Sequence, residues 1–209
     1  PRLPHVEPRL ALAFAGVALL LWSRRHPFAA GLLLGLAVSA KFYPVVFLGA
    51  FLLLSLRSGK WKASAQLLAG TAVAWLVVNV PVALANFDGW WEFYSFSSRR
   101  AVDFGSIWYA ATQAGLPGVP ADQLNLVATG SFVVLCAGIA WLVLGARRRP
   151  RLAQVLFLIV AAFVLTNKVY SPQYSLWLVP LAVMARPRWR DFLIWQVGEV
   201  IYFMAIWWF

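Results

Sequence analysis

Charge is scarce in this chain. Charged residues make up 12% of its 209 positions, about half the share of an ordinary soluble domain, and no soluble domain fits between its apolar segments. Acids are scarcest: seven Asp and Glu stand against 18 Lys and Arg. Cysteine occurs once, as Cys136 inside an apolar run, which excludes an intrachain disulfide and reads as a small core residue. The two histidines, His5 and His26, have no metal-ligand company, so no metal site is expected. A Gly-rich nucleotide loop, a Ser/His/Asp arrangement and a signal peptide are all missing. The first residue is Pro1, and the chain is expected to be a single transmembrane domain, 1–209, forming part of a longer protein.

What is present is hydrophobic. Apolar residues make up 62% of the chain, in long segments separated by short basic loops. That pattern predicts an all-α, multi-pass transmembrane helical bundle whose first partner is the lipid bilayer. The net charge of +11 would suit nucleic acid, but its distribution argues against such a partner. Twelve of the 18 cations fall in four short loops: Arg24 and Arg25; Arg57, Lys60 and Lys62; Arg147, Arg148, Arg149 and Arg151; Arg186, Arg188 and Arg190. Short basic loops between apolar segments lie on the cytoplasmic side.

Crossing parity then constrains the segments. Residues 28–56 begin and end at cytoplasmic loops, so they cross an even number of times. Their 29 residues are too few for two full spans of about 20 each. Two short helices are expected, turning at Lys41-Phe42-Tyr43-Pro44, where proline breaks the helix. Residues 28–40 reach only about 20 Å at ~1.5 Å per residue, so the turn lies within the outer half of the bilayer. Broken backbone at that depth needs protein or a water-filled cavity beside it. The same argument applies to residues 152–185, with a polar turn at 166–174. The segments 10–22, 66–85, 126–146 and 192–209 complete the crossings. Residues 86–125 form one long external loop, with four of the seven acids and a dense set of aromatics. Residues 90–97 are expected to be an amphipathic helix lying on the outer leaflet, and residues 115–120 a turn.

The external side collects Lys41, Tyr43, Arg99, Arg100, Asp103, Ser106, Thr166, Asn167, Lys168, Tyr170, Gln173 and Tyr174. Four cations on the side disfavoured by the charge rule suggest an anionic ligand, since Lys meets phosphate as a point charge and Arg meets it bidentately. A ligand reached from within the outer leaflet should carry a lipid tail, which points to a lipid-linked phosphate. Blander readings stay open. Lys41 and Lys168 can snorkel to the interface, Arg99 and Arg100 can be a solvated pair beside Asp103 and Glu92, and Tyr43, Tyr170 and Tyr174 can be interface anchors. Gly31, Gly35, Ala37 and Gly49 can be close-packing positions alone.

At these residues a resemblance appears. The run Ala30-Gly31-Leu32-Leu33-Leu34-Gly35-Leu36-Ala37-Val38-Ser39-Ala40-Lys41-Phe42-Tyr43-Pro44 resembles a signature of GT-C class membrane glycosyltransferases, most of all glycosyltransferase family 87, the polyprenyl-phosphate-mannose-dependent α-mannosyltransferases. Tyr170-Ser171-Pro172-Gln173-Tyr174-Ser175-Leu176-Trp177-Leu178-Val179-Pro180-Leu181 is similar to that family's later motif, and residues 99–108, with Gly105-Ser106-Ile107-Trp108, resemble part of its long external loop. The resemblance implies the C-terminal part of a plasma-membrane enzyme that moves a sugar, mannose, from a polyprenyl-phosphate donor to a glycolipid or glycan acceptor on the external side. It implies no metal and no other cofactor. The substrate-binding residues would be Lys41, Tyr43, Arg99, Arg100, Lys168, Tyr170, Gln173 and Tyr174. The family's general base is an acid in the first external loop. Glu7 does not match its context, so that base is expected upstream of Pro1 or lacking. Two other functions fit the same pattern: a transporter or flippase of a lipid-linked anion, which also uses broken helices, and a non-catalytic membrane assembly subunit.

Overall fold

A computed structural model describes residues 7–208 of the chain; Pro1 and His5 lie outside them. Among the described residues the regular structure is entirely helical. The chain divides into two compact units, one running to Ser97 and the other beginning at Ser98.

The first unit holds α1 (Glu7–Ser23), α2 (Pro27–Ala40), a 3₁₀ turn (Tyr43–Val46), α3 (Phe47–Ser58), α4 (Trp61–Ala85) and most of α5 (Phe87–Arg99). Pro27 opens α2 at a position where its missing N–H costs nothing. The helix ends where Lys41 turns extended and Pro44 cannot continue the ladder. This is the break expected from sequence. The following basic stretch is shorter than the sequence suggests. Arg57 lies within α3 and Lys62 within α4, and only Gly59 and Lys60 connect them, because Gly59 takes the left-handed conformation (φ 64°) that ends α3 in one residue.

Glycines decide how α2 meets α4. A Cβ on Gly31 would lie 2.2 Å from the Leu67 carbonyl oxygen, one on Gly35 2.4 Å from that of Thr71, and one on Gly70 2.3 Å from that of Phe28. The two backbones therefore touch, as small residues permit between apolar helices. Contacts climb together along both helices, from Phe28 at Gly70 to Gly35 at Thr71 and Ala74, and on to a Ser39–Asn79 hydrogen bond. The helices thus run parallel. Val45 and Leu48 line one groove with Leu68 and Thr71, and Ser64 hydrogen-bonds Ser55. Hence α3 runs antiparallel to α4, so α2 and α3 are two short helices of opposite direction.

The second unit holds α6 (Ile107–Gln113), α7 (Leu124–Gly145), α8 (Leu152–Thr166), a 3₁₀ turn (Pro172–Tyr174), α9 (Ser175–Ala185) and α10 (Trp189–Trp208). Arg151 donates to the last carbonyl of α9, at Ala185 (2.8 Å), a cation where a helix C-terminus favours one. The expected loop at 86–125 contains more helix than its composition suggests. Asn86 caps α5 by accepting from the Gly89 amide (2.9 Å), so α5 starts three residues earlier than the aromatic stretch indicates. It leaves Phe87, Trp91, Phe93 and Phe96 exposed, as an interfacial helix would. The seven-residue α6, capped by Ser106, is too short to show a sequence period.

Two helices among the described residues, α4 and α7, are long and apolar enough to cross a membrane. Their apolar surface is not packed away: Val77 is 68% exposed, Leu84 84% and Trp141 76%. Apolar surface of that extent fits a membrane protein.

Candidate functional site

In the second unit the polar turn after α8 is built from short-range hydrogen bonds. Asn167 goes extended, and its Oδ1 accepts from the Val169 amide (3.1 Å). Pro172 then starts the 3₁₀ turn that leads into α9. Residues 98–108 are strapped onto this turn. The Asp103 amide donates to the Lys168 carbonyl (2.9 Å), and Trp108 Nε1 donates to the Thr166 carbonyl (3.0 Å). Lys168 itself is 8% exposed. Its ammonium donates to the Ser98 carbonyl (2.9 Å) and to Asn125 Oδ1 (2.6 Å), and the Asn125 amide donates to the same Ser98 carbonyl (2.8 Å).

Above the strap, Arg100 pairs with Asp103 (3.3 Å) and keeps its side chain 47% exposed. Arg99 closes α5 and Gln173 is exposed. The Tyr170 ring meets Tyr174 edge-on at 6.1 Å, and Tyr174 stacks on Trp177 at 4.2 Å. Six of the eight expected site residues thus gather in one unit: Arg99, Arg100, Lys168, Tyr170, Gln173 and Tyr174. The remaining two, Lys41 and Tyr43, belong to the first unit.

There, Lys41 borders a cavity of about 470 Å³ with Ser39, Phe42, Trp75, Asn79, Trp90, Phe93 and Tyr94. A second cavity of about 570 Å³ is almost wholly apolar and shares Val38, Phe42, Trp75, Trp90 and Tyr94 with the first. Asn79 is a polar node of the first cavity. Its amide donates to Ser39 Oγ (3.1 Å), and its Oδ1 accepts from Trp90 Nε1 (3.0 Å). Tyr43 and Pro44 are buried beneath the turn.

The family model for glycosyltransferase family 87 matches residues 9–167. The chain belongs to glycosyltransferase family 87. No curated protein and no solved structure matches it. Membership supports a glycosyltransferase, with a sugar donor and an acceptor. The family 87 match includes Lys41, Tyr43, Arg99 and Arg100 and stops one residue before Lys168, so the strapped turn is argued from its own geometry.

Sequence reasoning about this family 87 chain missed three polar residues that the geometry brings forward: Asn79, Asn125 and Glu199. Each is a lone polar group in or beside an apolar run. That was the available signal, because such a group needs a partner; the partner itself is not readable from spacing. Glu199, in α10, accepts from the Tyr170 hydroxyl and from Trp195 Nε1.

Proposed function

We propose that this chain is part of a GT-C type, multi-pass plasma-membrane mannosyltransferase. It transfers mannose from polyprenyl phosphate to a glycolipid or glycan acceptor on the external side, with the basic loops cytoplasmic and residues 86–125 external. The observation that carries the reading is the pair of cavities in the first unit that share five lining residues. One is apolar and of a size that holds small ligands or part of a lipid chain. The other adds a lysine, a serine and an asparagine at its edge. A ligand with an apolar tail and an anionic head has the matching polarity.

In this reading Lys41 meets the donor phosphate and stabilises the charge that grows on it as the sugar leaves. Arg99 and Arg100 offer guanidinium groups to a phosphate from the external loop. Lys168, tied to Ser98 and Asn125, adds its charge while holding the strap in place. Tyr170, Gln173 and Tyr174 orient sugar and phosphate, while Tyr43, 3% exposed, supports the turn from beneath. The carboxylate that deprotonates the acceptor is not assigned to any residue of this chain.

The test is transfer from polyprenyl-phosphate mannose by Lys41→Met and Lys168→Met variants of the full-length protein in nanodiscs. A charge-assisted hydrogen bond contributes about 1.5–3 kcal/mol, so Lys41→Met should lower kcat/KM by roughly ten- to a hundredfold. Unchanged transfer in both variants would sink the assignment.

A further inference from the structure

Glu199 is a carboxylate in the middle of an apolar helix, Ile194-Trp195-Gln196-Val197-Gly198-Glu199-Val200-Ile201. A charge there is costly and calls for a function. The usual remedy is a cation, yet among the described residues no ion pair reaches it. Neutral donors hold it instead. The Tyr170 hydroxyl donates at 2.9 and 3.2 Å to its two oxygens, and Trp195 Nε1, one turn back, donates at 3.0 Å. Tyr202, one turn on, lays its ring edge-on to Tyr170 at 5.1 Å. The Tyr170 ring is therefore fixed by α10 at its hydroxyl and along its face.

This arrangement has a chemical consequence. A tyrosine hydroxyl has one proton and two acceptor lone pairs. With its proton aimed at Glu199, Tyr170 offers a ligand lone pairs only. A phosphate oxygen, which also offers only lone pairs, gains nothing there. A sugar hydroxyl, which can donate, fits.

We infer that Glu199 is a specificity-determining positioning residue: by taking the Tyr170 proton it makes Tyr170 an acceptor for one hydroxyl of the transferred or receiving sugar. The inference rests on the sugar-transfer reading above and narrows it, because it moves Tyr170 from the phosphate to the sugar. Neither Glu199 nor Tyr170 lies within the stretch matched by the family model.

The experiment compares polyprenyl-phosphate mannose with its mono-deoxy analogues, and the acceptor with its own, as substrates of the full-length protein. Wild type, Tyr170→Phe, Glu199→Leu and the double variant are measured. Wild type should reject the analogue lacking one hydroxyl by at least tenfold in kcat/KM, because a site built to pair that hydroxyl is left unpaired. Both single variants should lose that rejection at the same position, and the double variant should be no worse than the poorer single one, since both act on one interaction. A uniform loss across all substrates in Glu199→Leu, with rejection kept, would mark a merely structural role and overturn the inference. So would additive losses in the double variant. If wild type moves no sugar from any lipid phosphate, the donor reading fails by itself. Binding of free methyl mannoside and its deoxy series, read by titration calorimetry, then decides the narrower point: rejection lost in Glu199→Leu supports it, and rejection retained overturns it.

Discussion

Replacing Gly31 by alanine adds one methyl group, and the structure leaves no room for it. The new Cβ would stand 2.2 Å from the Leu67 carbonyl oxygen, 2.9 Å from the Leu67 carbonyl carbon and 3.0 Å from the Thr71 amide nitrogen. All three are backbone atoms of α4, so no side chain can swing aside. Carbon and oxygen settle at about 3.3 Å or more, so α2 and α4 must part by about 1 Å along this line. Overpacking of this kind costs about 1–3 kcal/mol. Alanine also gains about 1 kcal/mol over glycine in a helix, which partly conceals the cost. Gly138→Ala removes that ambiguity, because Gly138 lies within α7 with nothing within 4 Å of its added Cβ. The difference between the two variants isolates the clash. Unfolding in nanodiscs, followed by tryptophan fluorescence, should place Gly31→Ala below Gly138→Ala by about 1–3 kcal/mol. Because α2 ends at Lys41, the same shift moves the lysine, and misplacement of about 1 Å can lower turnover about a hundredfold. Equal stability of the two variants would refute the claim that these backbones touch.

Two further outcomes follow from the second unit. A Cβ on Gly105 would lie 1.7 Å from the Tyr202 hydroxyl oxygen and 2.9 Å from the Tyr170 carbonyl, so Gly105→Ala should weaken sugar transfer. Adding Tyr202→Phe should restore part of it, because the displaced hydroxyl is buried with no hydrogen-bond partner among the described residues; absence of any rescue counts against the packing described. Lys168→Met leaves the Ser98 carbonyl and Asn125 with one donor fewer, at a cost of about 1–3 kcal/mol. Hydrogen exchange at the Asp103 amide, bonded to the Lys168 carbonyl, should speed up accordingly, and an unchanged rate would show that the ammonium does not hold the strap.

The helix breaks at 41–46 and 167–174 were legible in the sequence for a local reason. Pro44 and Pro172 forbid continuation, and the polar residues beside them mark where the apolar pattern stops. The charges at 57–62 misled about conformation: a basic residue indicates a side of the membrane, and Arg57 and Lys62 both sit within helices. The beginning of α5 was hidden because its cap is a single Asn86 outside the aromatic run, and α6 was hidden by its length. At the site, the residues gathered around the turn could be read as a group, but not what each does. Lys168 was read only as a ligand for an anion, and its ammonium also holds Ser98 and Asn125, 70 and 43 positions away. Partners at that separation are fixed by packing, which no spacing rule reaches.

The parallel run of α2 beside α4 has an electrostatic side. Each helix carries a partial negative charge at its C-terminal end, equivalent to about half an electron, and parallel helices deliver both ends to the same side. Lys41 stands at the end of α2, in a cavity also lined by Val82 from the last turn of α4. Lys41 therefore sets one positive charge against about one negative charge from the two helix ends together. Removing that one charge would not leave the cavity neutral. It would leave both helix ends unanswered, so an arriving phosphate would be repelled rather than merely less well held.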